Sequence, residues 1–571
     1  MPSSRVRESN PLYTRSALEA GAVCAGGHPL EAQAGAAMMA AGGNAIDALV
    51  AAAFVGFVVE PASCGLGGYG HTTIWLARER RFVSFDHYCR APGAAHPTLF
   101  QVDDDAAFHY YGHPATKGRK AEVGFMAVAV PGAVKGFCDA HDLFGRLRFA
   151  RVLEPAIAAA EAGVDFTWEH ALTIADREDE IRAFPDTAAV LLPGGRVPRT
   201  PRWMPTGDRL DTSALARTLK AIAAKGAAGF HGGAVAAAIA WYVQGHGGIL
   251  SAEDIAGYRT RVLVEQPTRY RDHDLVACYD QVAYQALQML DGFDLARHGP
   301  DSFAYRHLTA EALALTFTDS IVHYGDPDVE RAPVDGLASR AFADVRRRLI
   351  RLGKAVPRPV APGDPWPFDA KGPKPRALET RRTLGKRSGT SQMVAADTEG
   401  NAAATCVSIS SGFGSLVYVP EVGVFLNNAM QNFDPRPDHP NCLRPGKMPI
   451  FAAPALVSAR RDRGMFASSG SGGYRIETGV LHTFMNVVDH GMDVQAALDH
   501  PRVHSQGEET YVDARIPAVV RDRMARAGHT VVVVHEGPGS NNFGRIVALR
   551  RTRRGWEAGG YPAWGTGTAG L

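Results

Sequence analysis

Residues 42–58 are dominated by Ala, Val and Phe, and their polar members Asn44 and Asp47 sit at the start. A run of that length without alternation predicts a buried helix that begins near Asn44 or Asp47. Its most apolar part, residues 48–59, is closed off by Asp47 and Glu60 and falls well short of the roughly 20 residues a bilayer span needs. A glycine-rich turn follows, and then residues 71–76 read as a strand. Residues 152–163 and 213–225 carry the spacing of amphipathic helices, and 302–322 that of a longer one. Ser251, with Asp254 three residues on, marks a capped helix start over 251–257.

The pattern breaks at residues 353–388, where seven prolines fall between Pro357 and Pro375 among many Lys and Arg. Proline at that density prevents both helix and sheet ladder, which predicts an extended or mobile linker. Beyond it the texture turns to strands: 390–396, a turn at 397–401, then 402–410, with further strands at 416–419 and 423–426. No internal repeat is visible.

Composition narrows the function classes. The chain has 571 residues, 61 basic against 59 acidic, so charge gives no reason to expect nucleic acid or an anionic membrane as partner. The first 20 residues hold no apolar core of the kind a secretory signal needs, and the cytoplasm is the expected location. Seven scattered cysteines without a CxxC pair fit free buried thiols in a reducing compartment rather than a metal site. Gly65-Leu-Gly-Gly-Tyr-Gly70 has dinucleotide-fingerprint spacing but lies between a helix and a strand, the reverse of the order that use requires. His109 and His113 flank Gly112 and read as loop residues. No metal or cofactor is expected.

The candidate chemistry centres on Thr390, the residue that follows Gly389 at the end of the linker. A threonine hydroxyl needs a base to act as a nucleophile. Breaking the Gly389–Thr390 bond would give Thr390 a free α-amine, whose ordinary pKa of about 7.7–8.0 suits that task. Gly389 leaves room for the hydroxyl to attack the preceding carbonyl. On these residues alone an ordinary strand threonine is the simpler reading.

An ordered set of motifs changes that balance. Thr390-Ser-Gln-Met-Val-Ala-Ala-Asp397, Glu399-Gly-Asn401, Gly412-Phe-Gly-Ser415, Gly423-Val-Phe-Leu-Asn-Asn428 and Gly470-Ser-Gly-Gly-Tyr-Arg-Ile476 occur in sequence. Upstream stand Gly42-Gly-Asn-Ala-Ile-Asp47, Val59-Glu-Pro61, Gly65-Leu-Gly-Gly68, Val130-Pro-Gly132, Glu154-Pro-Ala156 and Gly248-Ile-Leu-Ser-Ala-Glu-Asp254. Together they resemble the γ-glutamyltranspeptidase family of N-terminal-nucleophile hydrolases. The resemblance implies a four-layer αββα sandwich and a precursor that cuts itself before Thr390. Residues 1–389 and 390–571 would then be large and small subunits of one folded unit, and a homo-oligomer of that processed pair is among the expected assemblies. It also implies Gly472 and Gly473 as backbone donors to the oxyanion, and Ser408 as the second hydroxyl beside the nucleophile, where the family usually has threonine.

The family's charged grip on a γ-glutamyl group is largely replaced. Its arginine position falls on Tyr88, its paired serines on Ile450 and Phe451, its acidic residue on Asn432, a polar neighbour on Ala429 and its asparagine on Ser410. Each lost charge-assisted contact costs roughly 2–5 kcal/mol. Arg90, two residues along a strand from Tyr88, is the candidate replacement cation. Pro440-Asn-Cys-Leu-Arg-Pro-Gly-Lys-Met-Pro449 is similar to a segment of the branch with oxamate amidohydrolases and some cephalosporin acylases, although Met448 departs from the basic residue expected there. The implied substrate is a small-molecule amide whose acyl part lacks an amino-acid head, small and planar or aromatic. A γ-glutamyl hydrolase or transferase with a rebuilt grip, and an uncleaved non-enzymatic scaffold, stay open as alternatives.

Overall fold

The structure is a computed structural model that describes residues 7–9, 18–109, 112–201, 207–369, 389–450, 453–461, 463–537, 539–563 and 565–571. Two sheets form its centre. The first has eight strands in the order Arg7–Ser9, Gly567–Gly570, Val23–Gly26, Gly389–Ala396, Ala402–Ser410, Tyr69–Leu76, Arg81–His87, Arg261–Leu263. The second has seven: Leu18–Ala20, Trp556–Gly560, Arg545–Arg551, Arg463–Ser471, Leu456–Arg460, His273–Val276, Thr268–Tyr270.

Side-chain size sets how closely the sheets approach. Val394, Ala396, Ala402 and Ala404 of the first sheet pack on Val457, Ala459, Ala467, Val547 and Leu549 of the second. The outer face of the first sheet, through Met393, Ala395, Ala403 and Val407, packs on helices that include Ala45–Val59 and Phe149–Ala162. The outer face of the second, through Leu456, Phe466, Ile546 and Ala548, packs on Gln281–Leu290, Phe303–His323 and Arg475–His490. This is the αββα sandwich expected from the motifs. Both faces of the central strands are buried, which explains why these strands show little hydrophobic alternation.

Helix starts follow their caps. Asn44 accepts from the backbone N–H groups of Ile46 and Asp47 and opens Ala45–Val59. Ser251 and Asp254 form the expected capping box before Ala252–Gly257. Ser302 caps Phe303–His323, and the expected amphipathic helices are Phe149–Ala162 and Ser213–Lys225. Strand Tyr69–Leu76 starts two residues earlier than its sequence pattern suggests, and the later pair shrinks to Tyr418–Val419 and Val424–Phe425. All seven cysteines are buried and free.

The proline-rich segment needs a correction. Its first half, residues 353–369, is a docked strap rather than a mobile tether. Ala355 N–H donates to Ala527 O at 2.7 Å, Val360 N–H to Gly507 O at 2.7 Å and Gly363 N–H to Asp319 Oδ1 at 2.6 Å. Proline blocks regular ladders but leaves the intervening N–H groups free to find such partners. Residues 370–388 lie outside the described residues. No helix among the described residues is long and apolar enough to cross a membrane.

Candidate active site

Register brings the site together. Thr390 pairs with Ser408, and Ser408 with Tyr69, so these three lie side by side on the sheet face that looks toward the second sheet. The ladder slips between Gly389 and Thr390, so their shared peptide bond stands out of register. A Cβ at residue 389 would lie 2.3 Å from Ser411 O and 2.7 Å from Ala62 O, so only glycine fits there.

A saturated hydroxyl connects this bond to the threonine. Thr390 Oγ1 lies 3.0 Å from Ser408 Oγ, Ser408 Oγ donates to Gly389 O at 2.7 Å, and Ser410 N–H donates to Ser408 Oγ at 2.9 Å. With its own proton committed to Gly389 O, Ser408 accepts from the other two. Ser410 holds φ +75°, a left-handed conformation uncommon for a residue with a side chain, and it is this turn that aims its N–H at Ser408.

Gly472 and Gly473 form the strand-to-helix turn between Arg463–Ser471 and Arg475–His490. Their φ values of +137° and +60° suit glycine, and they lie at the positive end of the 16-residue helix. Arg545 ties this turn to the threonine: its Nε donates to Ser471 Oγ and its Nη2 to Thr390 O, both at 3.0 Å.

On the opposite face of the same strand, Ser391 Oγ donates to Glu60 and lies 3.4 Å from Glu31 Oε1. The two carboxyls behave differently. Burial and the neighbouring Glu60 charge push Glu31 well above the ordinary range. Burial also acts on Glu60, but the Arg545 guanidinium and the hydrogen bonds from Glu31 and Ser391 together outweigh it and hold Glu60 below that range.

The replaced grip positions also meet. Tyr69 OH bonds Ser410 Oγ, and Asn432 Nδ2 lies 3.3 Å from Tyr69 OH and 3.4 Å from Tyr88 OH. Tyr88 OH reaches Ile450 O at 3.5 Å, and its ring packs edge-on against Tyr69 at 4.5 Å between centroids. Ala429 is buried in the turn that carries Asn432, and Phe451 lies outside the described residues. Tyr69, Arg545, Glu31 and Glu60 were not singled out from the sequence. For Tyr69 the signal was its place directly after the Gly65–Gly68 motif, although the sequence pattern starts the strand two residues later. Arg545 stands 155 residues from Thr390, and no local pattern links them.

Arg90 is not turned toward this network. Its Nη2 donates to Asp86 Oδ2 at 2.6 Å and its Nη1 to Tyr88 O and Cys89 O at 3.2 Å each. Two residues on from Tyr88 the ladder has already ended, and a bridge to Val130 carries Arg90 away from the sheet. Asp86 also meets His71 Nε2 at 3.2 Å and Arg261 Nη1 at 3.5 Å. Burial opposes its charge, but Arg90, His71 and Arg261 together hold its carboxyl far below the usual range. His109 and His113 stay in a loop, where their rings stack and Nε2 of His113 lies 2.9 Å from Gln431 O.

Comparison with known proteins fits this geometry. The family description "Gamma-glutamyltranspeptidase" matches residues 32–569. The chain belongs to the γ-glutamyltranspeptidase family. The acylase ACY 1 proenzyme of Pseudomonas sp. (strain SE83) is 35% identical over 512 residues, 88% of this chain and 86% of that protein. The glutathione hydrolase proenzyme of Bacillus subtilis (strain 168) is 29% identical over 88% of this chain and 84% of its own length. Among solved structures, the cephalosporin acylase from Bacillus halodurans superposes with a TM-score of 0.82 at 27% identity, covering 100% of this chain and 99% of that one. The fold is that of the N-terminal-nucleophile hydrolases, and the chain is an amidohydrolase.

Proposed function

We propose that this γ-glutamyltranspeptidase-family member is a precursor that cuts itself between Gly389 and Thr390, giving subunits 1–389 and 390–571. The mature enzyme then hydrolyses an amide through an acyl-Thr390 intermediate. The observation that carries this reading is the Ser408 hydroxyl, which joins Thr390 Oγ1 at 3.0 Å to Gly389 O at 2.7 Å. Before the cut, Thr390 N is an amide and cannot serve as base. Ser408 accepts the threonine proton as Oγ1 attacks the Gly389 carbonyl carbon, and donates its own proton to the developing oxyanion. The tetrahedral adduct then collapses: the Gly389–Thr390 C–N bond breaks and the proton on the adduct's oxygen passes to Thr390 N. Water hydrolyses the ester that is left, giving a free Gly389 carboxylate and a free Thr390 amine and hydroxyl.

In turnover, that amine takes the proton from Oγ1 as Oγ1 attacks the substrate carbonyl. Gly472 and Gly473 N–H groups receive the oxyanion, each donor contributing about 2.7–4 kcal/mol to the barrier reduction. The protonated amine passes its proton to the leaving nitrogen, and water then releases the acyl group. Every step is a proton or acyl transfer between groups the chain supplies, so no cofactor is invoked.

The acyl pocket supports a substrate without an amino-acid head. Tyr69, Tyr88, Asn432 and Ser410 present phenol, amide and hydroxyl groups where a γ-glutamyl grip needs charge, and Arg90 is spent on Asp86. The relatives named acylase and cephalosporin acylase point the same way. The buried free thiols support a reducing, cytoplasmic setting.

Intact mass followed by a substrate panel tests the reading. Expected are fragments beginning at Met1 and Thr390, and turnover of oxamate, an acyl anilide or a cephalosporin amide in preference to a γ-glutamyl anilide. Preference for the γ-glutamyl compound would establish the glutathione-hydrolase alternative instead. Ser408→Ala removes the donor to Gly389 O, and self-cleavage is expected to slow by about 10²–10³-fold. Wild-type processing of that variant in a time course would remove Ser408 from the mechanism.

A further inference from the structure

Arg545 opens strand Arg545–Arg551 of the second sheet, across the sandwich from the nucleophile strand. Its side chain is only 4% exposed. Besides Ser471 Oγ and Thr390 O, its guanidinium meets Glu60 Oε1 at 3.7 Å, Glu169 Oε2 at 3.8 Å and Ser63 Oγ at 3.5 Å. One planar fork thus joins the threonine, the residue before the glycine pair and two helices. A lysine has the charge but not the fixed fork needed to span Ser471 and Thr390 together.

We propose that Arg545 is a positioning residue that holds Thr390 against the Gly472–Gly473 turn and keeps the freed α-amine of Thr390 a neutral base. This rests on Thr390 being the nucleophile. The carbonyl oxygen and amine nitrogen of one residue lie about 3 Å apart, which puts the guanidinium within about 6 Å of the amine. A like charge at that range disfavours the ammonium form.

The other titratable groups around the fork are Glu60, Glu31, Glu169, His28 and His170. Burial and the Glu60 charge push Glu31 well above the ordinary range, and burial pushes Glu169 up. Burial lowers His28, and lowers His170 to about 4, so both rings are neutral near pH 7. Glu60 is held below the ordinary range, and it is engaged by Arg545 and Ser391. Removing Arg545 takes away a cation and releases an anion, and both changes raise the pKa of the amine.

The test uses the full-length chain with Arg545→Met, Arg545→Lys and Ser471→Ala. It reads the processed fraction by intact mass, the melting temperature, and the pH dependence of kcat and kcat/KM on the best substrate of the panel above. In Arg545→Met, kcat is expected to fall about a hundredfold with KM little changed, because misplacement of about 1 Å has that effect. The acid limb is expected to move up by about one pH unit. Arg545→Lys is expected to restore the limb but not the rate. Ser471→Ala, which loosens one tine of the fork, is expected to lower kcat without moving the limb, and it keeps the test alive if Arg545→Met does not fold.

A folded Arg545→Met chain that stays uncut supports the positioning role. Wild-type kcat and acid limb in Arg545→Met would overturn the proposal, as would full rate recovery in Arg545→Lys. A wild-type small fragment that does not begin at Thr390 would instead remove the nucleophile reading.

Discussion

Thr390→Ala is expected to leave one 61.0 kDa chain and to lower amide turnover by about 10⁴-fold or more. Both losses have the same origin in the proposed mechanism, where Oγ1 is the attacking atom first on Gly389 and then on the substrate. The variant should still fold. Thr390 is buried in strand Gly389–Ala396, and the change deletes one hydroxyl and one methyl from a site held by backbone pairing and by Arg545. One neutral hydrogen bond contributes only about 0.5–1.5 kcal/mol. Intact mass and a melting curve therefore separate the two cases: an uncut chain with a near-wild-type melting temperature supports the nucleophile assignment. Cleavage or turnover in this variant would sink it. Thr390→Ser keeps the hydroxyl and is expected to be cut.

How much of this was legible in the sequence depends on how far apart the partners lie. The Gly389–Thr390 end of the candidate site was legible once the family resemblance was added, because its parts are close in the chain. Gly389, Thr390, Ser408 and Ser410 lie on two consecutive strands joined by a short turn, paired across a one-residue slip in the ladder. The glycine pair was legible through the family resemblance, and the caps at Asn44 and Ser251 from local chemistry. The second sheet was not, since strands such as Arg463–Ser471 are buried on both faces and carry no period-two pattern. Arg545 meets Thr390, and Glu31 and Glu60 meet the neighbouring Ser391, from three distant segments, and only the fold pairs them. The proline-rich segment misled in another way, because composition reports the absence of regular structure and not whether a strap is docked.

Arg90 shows the same limit, and it carries the second large effect. Spacing along a strand puts residues 88 and 90 on one face, but the strand ends at His87 and Arg90 turns to Asp86. Arg90→Ala is accordingly expected to destabilise the fold rather than to weaken substrate binding. Asp86 has no exposed side-chain surface and Arg90 only 11%, so the change leaves a buried carboxylate short of its main partner. Breaking such a pair costs about 3–5 kcal/mol. The lower end is expected, since Arg261 at 3.5 Å and His71 at 3.2 Å remain.

The sign of the pH dependence follows from the depressed Asp86 pKa. Such a carboxyl contributes stability above its unfolded value of about 3.9, and that stability is lost as pH falls toward the folded value. The gap between wild type and Arg90→Ala in denaturant midpoint should be widest near neutral pH and narrow below about pH 4. KM of the processed variant should stay near the wild-type value. A raised KM with unchanged stability would instead put Arg90 in the acyl pocket as the substitute for the missing charged grip.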